Sequence, residues 1–109
     1  MSITDLTATE LLAQLDKGQI TSVELTGAML DRIEKIDREI HAFLRVDAEA
    51  ALAQAEAIDL RRRDGGKVGR LGGVPVAIKD LLCTVGEPTT CASRMLENFC
   101  PPYDATVVT

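Results

Sequence analysis

The sequence predicts an α/β fold in which N-terminal helices lead into the first strands of a sheet. Three observations predict it: two capping boxes at the front of the chain, an alanine-rich helical segment in the middle, and an apolar run on each side of that segment. A helix that connects two strands is typical of a βαβ crossover with parallel strands. We therefore predict one domain over residues 1–109, with a helical front at about 1–40 and a βαβ region at about 41–109.

Two helices are predicted in the front of the chain. "TATE" at Thr7 and "TSVE" at Thr21 fit the capping box, in which a threonine hydroxyl and a glutamate carboxylate satisfy the free amides of the first turn. Gly18 between them predicts a turn. In the second helix the apolar residues recur at spacings of three and four and form a stripe that needs a partner surface. Its members are Leu25, Met29, Ile33, Ile36 and Ile40.

A helix between two strands is predicted next. The first strand, "HAFLRVD", has on one face Ala42, Leu44 and Val46. Asp47 then caps the helix "AEAALAQAEAIDLRRR", which Gly65 and Gly66 end. The second strand is "VPVAI" at residues 74–78. These segments form the predicted βαβ unit.

Composition and charge exclude several classes. With 46% hydrophobic and 27% charged residues the chain is globular, and a net charge of −5 argues against a nucleic-acid interface. The one basic run, Arg61–Arg63, stands at a helix end where cations complement the dipole, so we interpret it as solvated rather than as an RNA or protein contact. The sequence shows no signal peptide and no long apolar stretch, which predicts a cytoplasmic protein without a membrane association.

Neither a metal site nor a cofactor site is predicted. Cys83, Cys91 and Cys100 lack C-x-x-C spacing and His41 is the only histidine, so no zinc ligands assemble locally. We expect each cysteine to be reduced and to pack as a small buried apolar side chain. In "GGKVGRLGG" Lys67 is not followed by serine or threonine and the Rossmann spacing is absent, which predicts a flexible connector.

Lys79 ends the apolar run of "LGGVPVAIKDLLCT". In a strand it would share a face with the small side chains of Pro75 and Ala77, while Asp80 would point the opposite way. A loop rich in Gly, Pro, Thr and Ser follows, and ligands of α/β sheets bind where strands end. An ammonium group is rarely buried without a partner. The pattern alone leaves two possibilities open: a structural lysine or a functional amine.

A family resemblance bears on this question. The segment "LGGVPVAIKDLLCTVGEPTTCASRMLENFCPPYDATVV", Leu71 to Val108, resembles the N-terminal part of the amidase signature family. The core G-[VI]-P-[VI]-A-[IV]-K-D is shared across that family, whereas "TTCASRMLENFCPPYDATVV" is similar to the members that hydrolyse glutamine for a tRNA amidotransferase. The elements predicted in the front half are also of the kind found in that family, so the resemblance covers essentially the whole chain. It implies an amidase-signature-type domain with a mixed sheet, incomplete as given.

The resemblance implies that Lys79 is the lysine of a Ser–cis-Ser–Lys triad and is the catalytic residue in this chain. A neutral amine would accept a proton from the bridging serine, which relays the proton of the nucleophilic serine. Family serines come from a Gly- and Ser-rich segment further on, and residues 80–109 contain only Ser93, which is not assigned as nucleophile. Asp104 is predicted to cap a helix that the sequence does not complete. We expect part of a longer chain that is inactive alone.

The resemblance also implies partners. It suggests a subunit of a heterotrimeric amidotransferase that converts misacylated Glu-tRNA(Gln) to Gln-tRNA(Gln), with glutamine as the ammonia donor. ATP and Mg would bind at a partner subunit, and the tRNA mainly at partners, with no cofactor on this chain. Two alternatives stay open. One is another amidase that acts on small or fatty amides, and the other is a helical interaction module without chemistry, in which Lys79 is structural.

Overall fold

The structure, a computed structural model, describes residues 2–109 and divides into two compact units. One unit extends to Pro75 and the other is Val76–Thr109. The first unit contains a 3-10 helix and the three α-helices, and the second contains one short 3-10 helix. These elements are the 3-10 helix Ile3–Asp5, α1 (Ala8–Asp16), α2 (Ser22–Ile40), α3 (Ala48–Arg63) and the 3-10 helix Arg94–Leu96.

Both predicted capping boxes are confirmed. At the start of α1 the Glu10 carboxylate accepts the Thr7 backbone N–H at 2.8 Å, and the Thr7 hydroxyl accepts the Glu10 N–H at 3.3 Å. At the start of α2, Thr21 and Glu24 exchange the same two bonds at 2.9 and 3.1 Å. Gly18 adopts a φ of 68° in the turn between the helices, a conformation that favours glycine. The local sequence therefore determines where these helices begin.

The core of the first unit includes two of the five residues of the predicted α2 stripe, Leu25 and Met29. Its buried members are Leu11, Leu15 and Leu25, and the partly buried side chains packed on them are Ile3, Leu6, Ile20, Met29 and Val74. Leu25 has no exposed surface, whereas Ile36 and Ile40 at the other end of the stripe are 41% and 63% exposed. Within the described residues, the stripe has its partner surface only near the start of α2.

The third helix begins and ends as predicted. The Asp47 carboxylate accepts the Ala50 N–H at 2.9 Å and so caps α3. At the other end the Gly66 N–H donates to the Arg61 carbonyl at 2.8 Å, and Gly65 has a φ of 74°. This arrangement is a glycine-based C-terminal cap. α3 packs against α2.

No strand is present in residues 2–109, so the strands predicted at residues 42–46 and 74–78 are not formed there. For the first of them the structure gives a local reason. The Asp37 carboxylate, near the end of α2, accepts the Ala42 N–H at 2.7 Å and the Phe43 N–H at 3.2 Å. Two donors that a ladder would use are therefore satisfied by the helix end instead.

The second predicted strand lacks a neighbour. Residues 74–79 carry no regular secondary structure in the described chain, and Val76 is 65% exposed. A strand is stable only when its backbone groups pair with another strand, and alternation of side chains along the sequence does not supply that partner. The pattern is typical of a strand, but the described residues do not form the predicted βαβ unit.

Loops joined by hydrogen bonds make up the second unit. The Thr89 N–H donates to the Phe99 carbonyl at 2.9 Å, and Thr89 and Pro101 are among its buried residues. Residues 105–109 contain a turn and no helix, so the capping role of Asp104 stays a prediction. The Asp104 carboxylate accepts the Val85 N–H at 2.7 Å, and a turn follows at residues 106–108.

The cysteines depart from the sequence expectation. Cys83 is half-buried, while Cys91 and Cys100 are exposed, and all three are free thiols. The second unit has too little apolar volume to enclose them, because a segment of this size buries a small share of its surface. Residues 2–109 hold no group of three His, Cys, Asp or Glu side chains arranged for a metal ion. No helix among them is long and apolar enough to span a bilayer.

Candidate active site

Lys79 lies where an extended segment becomes a turn. The chain turns at residues 80–81, and the Leu82 N–H donates to the Lys79 carbonyl at 3.0 Å. The side chain of Lys79 is exposed in this chain. The described residues by themselves do not shield it from water.

Asp80, the residue after the lysine, closes a loop by bonding to Thr90, ten positions further along the chain. One oxygen of the Asp80 carboxylate accepts the Thr90 N–H at 3.0 Å, and the other accepts the Thr90 hydroxyl. The Asp80 carbonyl accepts the Cys91 N–H at 2.9 Å. We call this arrangement the Asp80–Thr90 clasp. The sequence pattern assigned no partner to Asp80, although aspartate before a loop rich in Thr and Ser commonly bonds to nearby backbone.

Beyond the clasp the backbone enters an uncommon conformation. Cys91 and Ala92 have φ values of 50° and 57°, and the Ser93 N–H donates to the Thr90 carbonyl at 2.8 Å. Two successive positive φ values with this bond define a type I′ turn, which usually contains glycine or asparagine. The Thr90 hydroxyl also accepts the Ala92 N–H at 3.2 Å. Side-chain hydrogen bonds therefore support a turn that its own residues disfavour.

Ser93 has a structural task. Its hydroxyl accepts the Met95 N–H at 3.3 Å and caps the 3-10 helix Arg94–Leu96. It is the only serine after Lys79 in the chain. In the described residues, the bonds next to Lys79 in the chain are those between Asp80 and Thr90, and Ser93 is used in the helix cap.

The turn that precedes the lysine segment is anchored in the first unit. The Ser22 hydroxyl donates to the Gly73 carbonyl at 2.8 Å, and the Arg62 guanidinium donates to the Gly72 carbonyl at 2.9 Å. Gly73 has a φ of 96°, and a Cβ there would lie 3.1 Å from Leu15 Cδ1, so glycine suits the position. The glycine-rich connector is therefore fixed at this end, where the sequence predicted flexibility.

Arg62 differs from its neighbours in the basic run. Arg61 and Arg63 are exposed, as the interpretation of a solvated helix end requires. Arg62 is partly buried and also forms an ion pair with Asp16. For Arg62 the interpretation was wrong, because a planar guanidinium can donate to a carbonyl and a carboxylate at the same time. A sequence does not reveal which of three successive arginines points inward.

Comparison with known proteins assigns the chain to a family. The model of the Amidase family matches residues 24–109, and the chain belongs to that family. The A-subunit of glutamyl-tRNA(Gln) amidotransferase from Streptomyces coelicolor is 53% identical over 105 residues, which is 96% of this chain and 21% of that protein. The Streptomyces avermitilis protein of the same name is 50% identical over 107 residues, 98% of this chain and 21% of that protein.

A solved structure is also similar. It belongs to a study of a vestigial protein complex that reveals the evolutionary origins of an s-triazine catabolic enzyme. The match has a TM-score of 0.87 and 29% identity, and it covers 94% of this chain and 23% of that one. This similarity supports the amidase-type fold that the family resemblance predicts. The chain spans about a fifth of the length of the curated relatives it matches.

Proposed function

We propose that this chain is the N-terminal part of the glutamine-hydrolysing subunit of a glutamyl-tRNA(Gln) amidotransferase. The observation that carries the proposal is identity of 50% or more to proteins of that name over nearly the whole chain. In the proposed reaction glutamine supplies ammonia, and Glu-tRNA(Gln) becomes Gln-tRNA(Gln).

Lys79 is the proposed proton acceptor of a Ser–cis-Ser–Lys triad. Its neutral amine takes the proton of a bridging serine, and the bridging serine takes the proton of the nucleophilic serine. The nucleophile forms a bond to the glutamine carboxamide carbon, the C–N bond breaks, and the returned proton leaves with ammonia. Water then hydrolyses the acyl-enzyme. Both serines would come from the part of the relatives' length that this chain does not span.

The same proposal extends to the fold. In the whole protein, residues 74–78 would pair with other strands and form part of an α/β domain with a mixed sheet. Two side chains of the lysine segment support this: Val76 is 65% exposed and Ile78 is 47% exposed. Apolar residues on an extended segment favour burial against a neighbouring layer. Such a layer would also remove water from Lys79.

Partners follow from the proposed reaction. The glutaminase subunit would work in a heterotrimer in the cytoplasm, with ATP and Mg at a partner subunit that activates the tRNA-bound glutamate. The tRNA would bind mainly to partners. The net charge of −5 on this chain supports that division, because phosphate backbones are bound by basic surfaces.

A second candidate is an amidase that acts on a small or fatty amide. The similarity to a structure studied with an s-triazine catabolic enzyme favours it, since that protein lies outside the tRNA-dependent relatives by name. Both candidates use the same chemistry at Lys79 and differ in the amide that enters the site.

The test compares Lys79→Ala and Lys79→Arg in the complete enzyme, with Lys67→Ala as the control at another exposed lysine. Both Lys79 variants should lose several orders of magnitude in glutamine-dependent transamidation, because triad members act as a unit and arginine cannot accept the proton. Added ammonia should restore much of the product. Lys67→Ala should remain active.

Three other results would contradict part of the proposed function or select the second candidate. A Lys79→Arg enzyme with a near-normal glutamine-dependent rate would remove Lys79 from the catalytic residues and favour a structural role. Glutamine hydrolysis by the 109-residue chain alone would contradict the proposal, because no nucleophile is assigned within it. Hydrolysis of other amides in place of glutamine by the whole protein would select the second candidate.

A further inference from the structure

We propose that Asp80 and Thr90 are positioning residues for Lys79. Their clasp holds the loop of residues 80–90 against the backbone that directly follows the lysine. This inference rests on the proposed function, in which Lys79 is the proton acceptor. It adds two side chains that act on the reaction without touching the reacting atoms.

The clasp and the lysine are adjacent along the backbone. The Lys79 carbonyl accepts the Leu82 N–H at 3.0 Å, and the Asp80 carbonyl accepts the Cys91 N–H at 2.9 Å. Rotation about the backbone bonds between Lys79 and Asp80 would break one of these bonds. The Asp80 carboxylate adds two bonds to Thr90 and fixes the same peptide from the side-chain direction. These bonds restrict the backbone directly after the lysine.

The clasp also sustains strained backbone. The left-handed conformations of Cys91 and Ala92 cost about 1–2 kcal/mol each relative to glycine. The Thr90 hydroxyl links the two parts: it donates to Asp80 and accepts the Ala92 N–H at 3.2 Å. Strained backbone persists only where its surroundings determine it, and it is concentrated near functional sites.

Proton transfer requires a precisely placed amine. A general base must lie within hydrogen-bond reach of the proton that it accepts, and lysine carries its amine on a flexible four-carbon stem. An error of about 1 Å in such a group can cost about a hundredfold in rate. Fixing the backbone next to Lys79 reduces the number of positions that its amine can occupy. The clasp supplies that constraint from within a short stretch of chain.

The experiment compares Thr90→Val with Thr90→Ser in the complete enzyme. Valine keeps the shape and the backbone N–H but removes the hydroxyl, and serine keeps the hydroxyl. For Thr90→Val we expect glutaminase kcat to fall about tenfold to a hundredfold with KM changed less than about threefold, because positioning acts on the transition state. Thr90→Ser should recover most of kcat. Thr106→Val, at an exposed threonine of the same unit, is the matched control.

A second measurement reports on the clasp independently of enzyme activity. Amide hydrogen exchange of the peptide that contains residues 90–93 should accelerate in Thr90→Val and in Asp80→Asn, and stay at the parent rate in Lys79→Ala and Thr106→Val. Thr90→Val with parent kcat would overturn the proposal, as would equal losses of kcat in Thr90→Val and Thr90→Ser. A rise in KM alone would also overturn it and assign the residues to substrate binding instead.

The variant Lys79→Ala separates a failure of the clasp proposal from a failure of the proposed function. If Lys79→Ala abolishes glutaminase activity and Thr90→Val does not reduce it, the clasp proposal fails and the proposed function stands. If Lys79→Ala retains activity, the proposed function fails, and the positioning proposal fails with it.

Discussion

The Asp59 carboxylate accepts the Ser22 N–H at 2.7 Å across 37 residues of sequence, and it also accepts the Val23 N–H at 3.0 Å. A side chain of α3 therefore satisfies the free amides at the start of α2. The capping box at Thr21 serves that same helix start. A negative charge is favourable there because the amide dipoles leave positive charge at the N-terminus of a helix. The Asp59 carboxylate thus contributes both a cap and a link between two helices.

Replacing Asp59 by Ala should lower the free energy of unfolding by about 1–2 kcal/mol, since two helix-end donors lose a charged acceptor. Urea denaturation followed by circular dichroism measures the change. Glu56→Ala, at an exposed position of α3, is the control and should stay within about 0.5 kcal/mol of the parent. Equal losses in both variants would show that the hydrogen bonds to α2 do not stabilise the fold.

Arg62→Lys should destabilise the protein although the charge is kept. The guanidinium donates to the Gly72 carbonyl and pairs with Asp16, and one ammonium on a flexible stem does not reproduce both contacts. We expect a loss of about 1–2 kcal/mol in the free energy of unfolding, measured by chemical denaturation. Arg61→Lys at the exposed neighbour should have almost no effect. The idea would be wrong if both lysine variants denatured at the parent midpoint.

Leu25→Ala should cost about 2–5 kcal/mol in the free energy of unfolding, because it leaves a cavity in the core of the first unit. Leu25 has no exposed surface, whereas Ile40 on the same stripe is 63% exposed. Ile40→Ala should cost less than about 1 kcal/mol in the chain as described. Thermal denaturation of both variants tests the difference. If Ile40→Ala proved the more costly variant in the complete protein, a further layer must cover that end of α2.

The Glu10 carboxyl should make stability depend on pH. Its pKa lies below the usual value of 4.5, because the carboxylate accepts the Thr7 backbone N–H and then the Thr7 hydroxyl. A depressed pKa in the folded state means that the stabilisation is complete above the unfolded value and is lost as the pH falls through the folded value. Glu10→Gln should therefore be less stable than the parent at pH 7, and the gap should close on acidification below about 4.5.

Denaturation midpoints of Glu10→Gln and the parent across that pH range provide the measurement. Glu34→Gln, at an exposed position within α2, should leave the midpoint at pH 7 nearly unchanged. A constant gap between Glu10→Gln and the parent at every pH would mean that the carboxylate charge is not what stabilises α1.

The helices could be predicted because their signals are local. Thr7 and Glu10 are three residues apart, and the chain between them cannot place the two side chains far from each other in a helix. The bond between Asp59 and Ser22 has no such signal, because the sequence does not state which α3 carboxylate faces α2. The predicted strands are not formed in residues 2–109 for a related reason, since strands need backbone partners that alternation within residues 74–78 does not identify.

The sequence singles out Lys79 by its position after an apolar run and by a family resemblance. The structure places a turn directly after it, and its catalytic role stays a prediction. The clasp was missed because Thr90 lies ten residues from Asp80 in a loop where several hydroxyls could serve. The left-handed turn at Cys91 was also missed, because neither Cys nor Ala signals a positive φ.

The core of the first unit consists of residues that lie between Ile3 and Val74 in the sequence. A ribosome adds about 5–20 residues per second, which is slow compared with the formation of helices. The nascent chain can therefore bury Leu25 while later residues are still being added. Val76, Ile78 and Leu81 emerge next with exposed apolar side chains, so the chain presents a further apolar surface to ribosome-associated chaperones after its first core has formed.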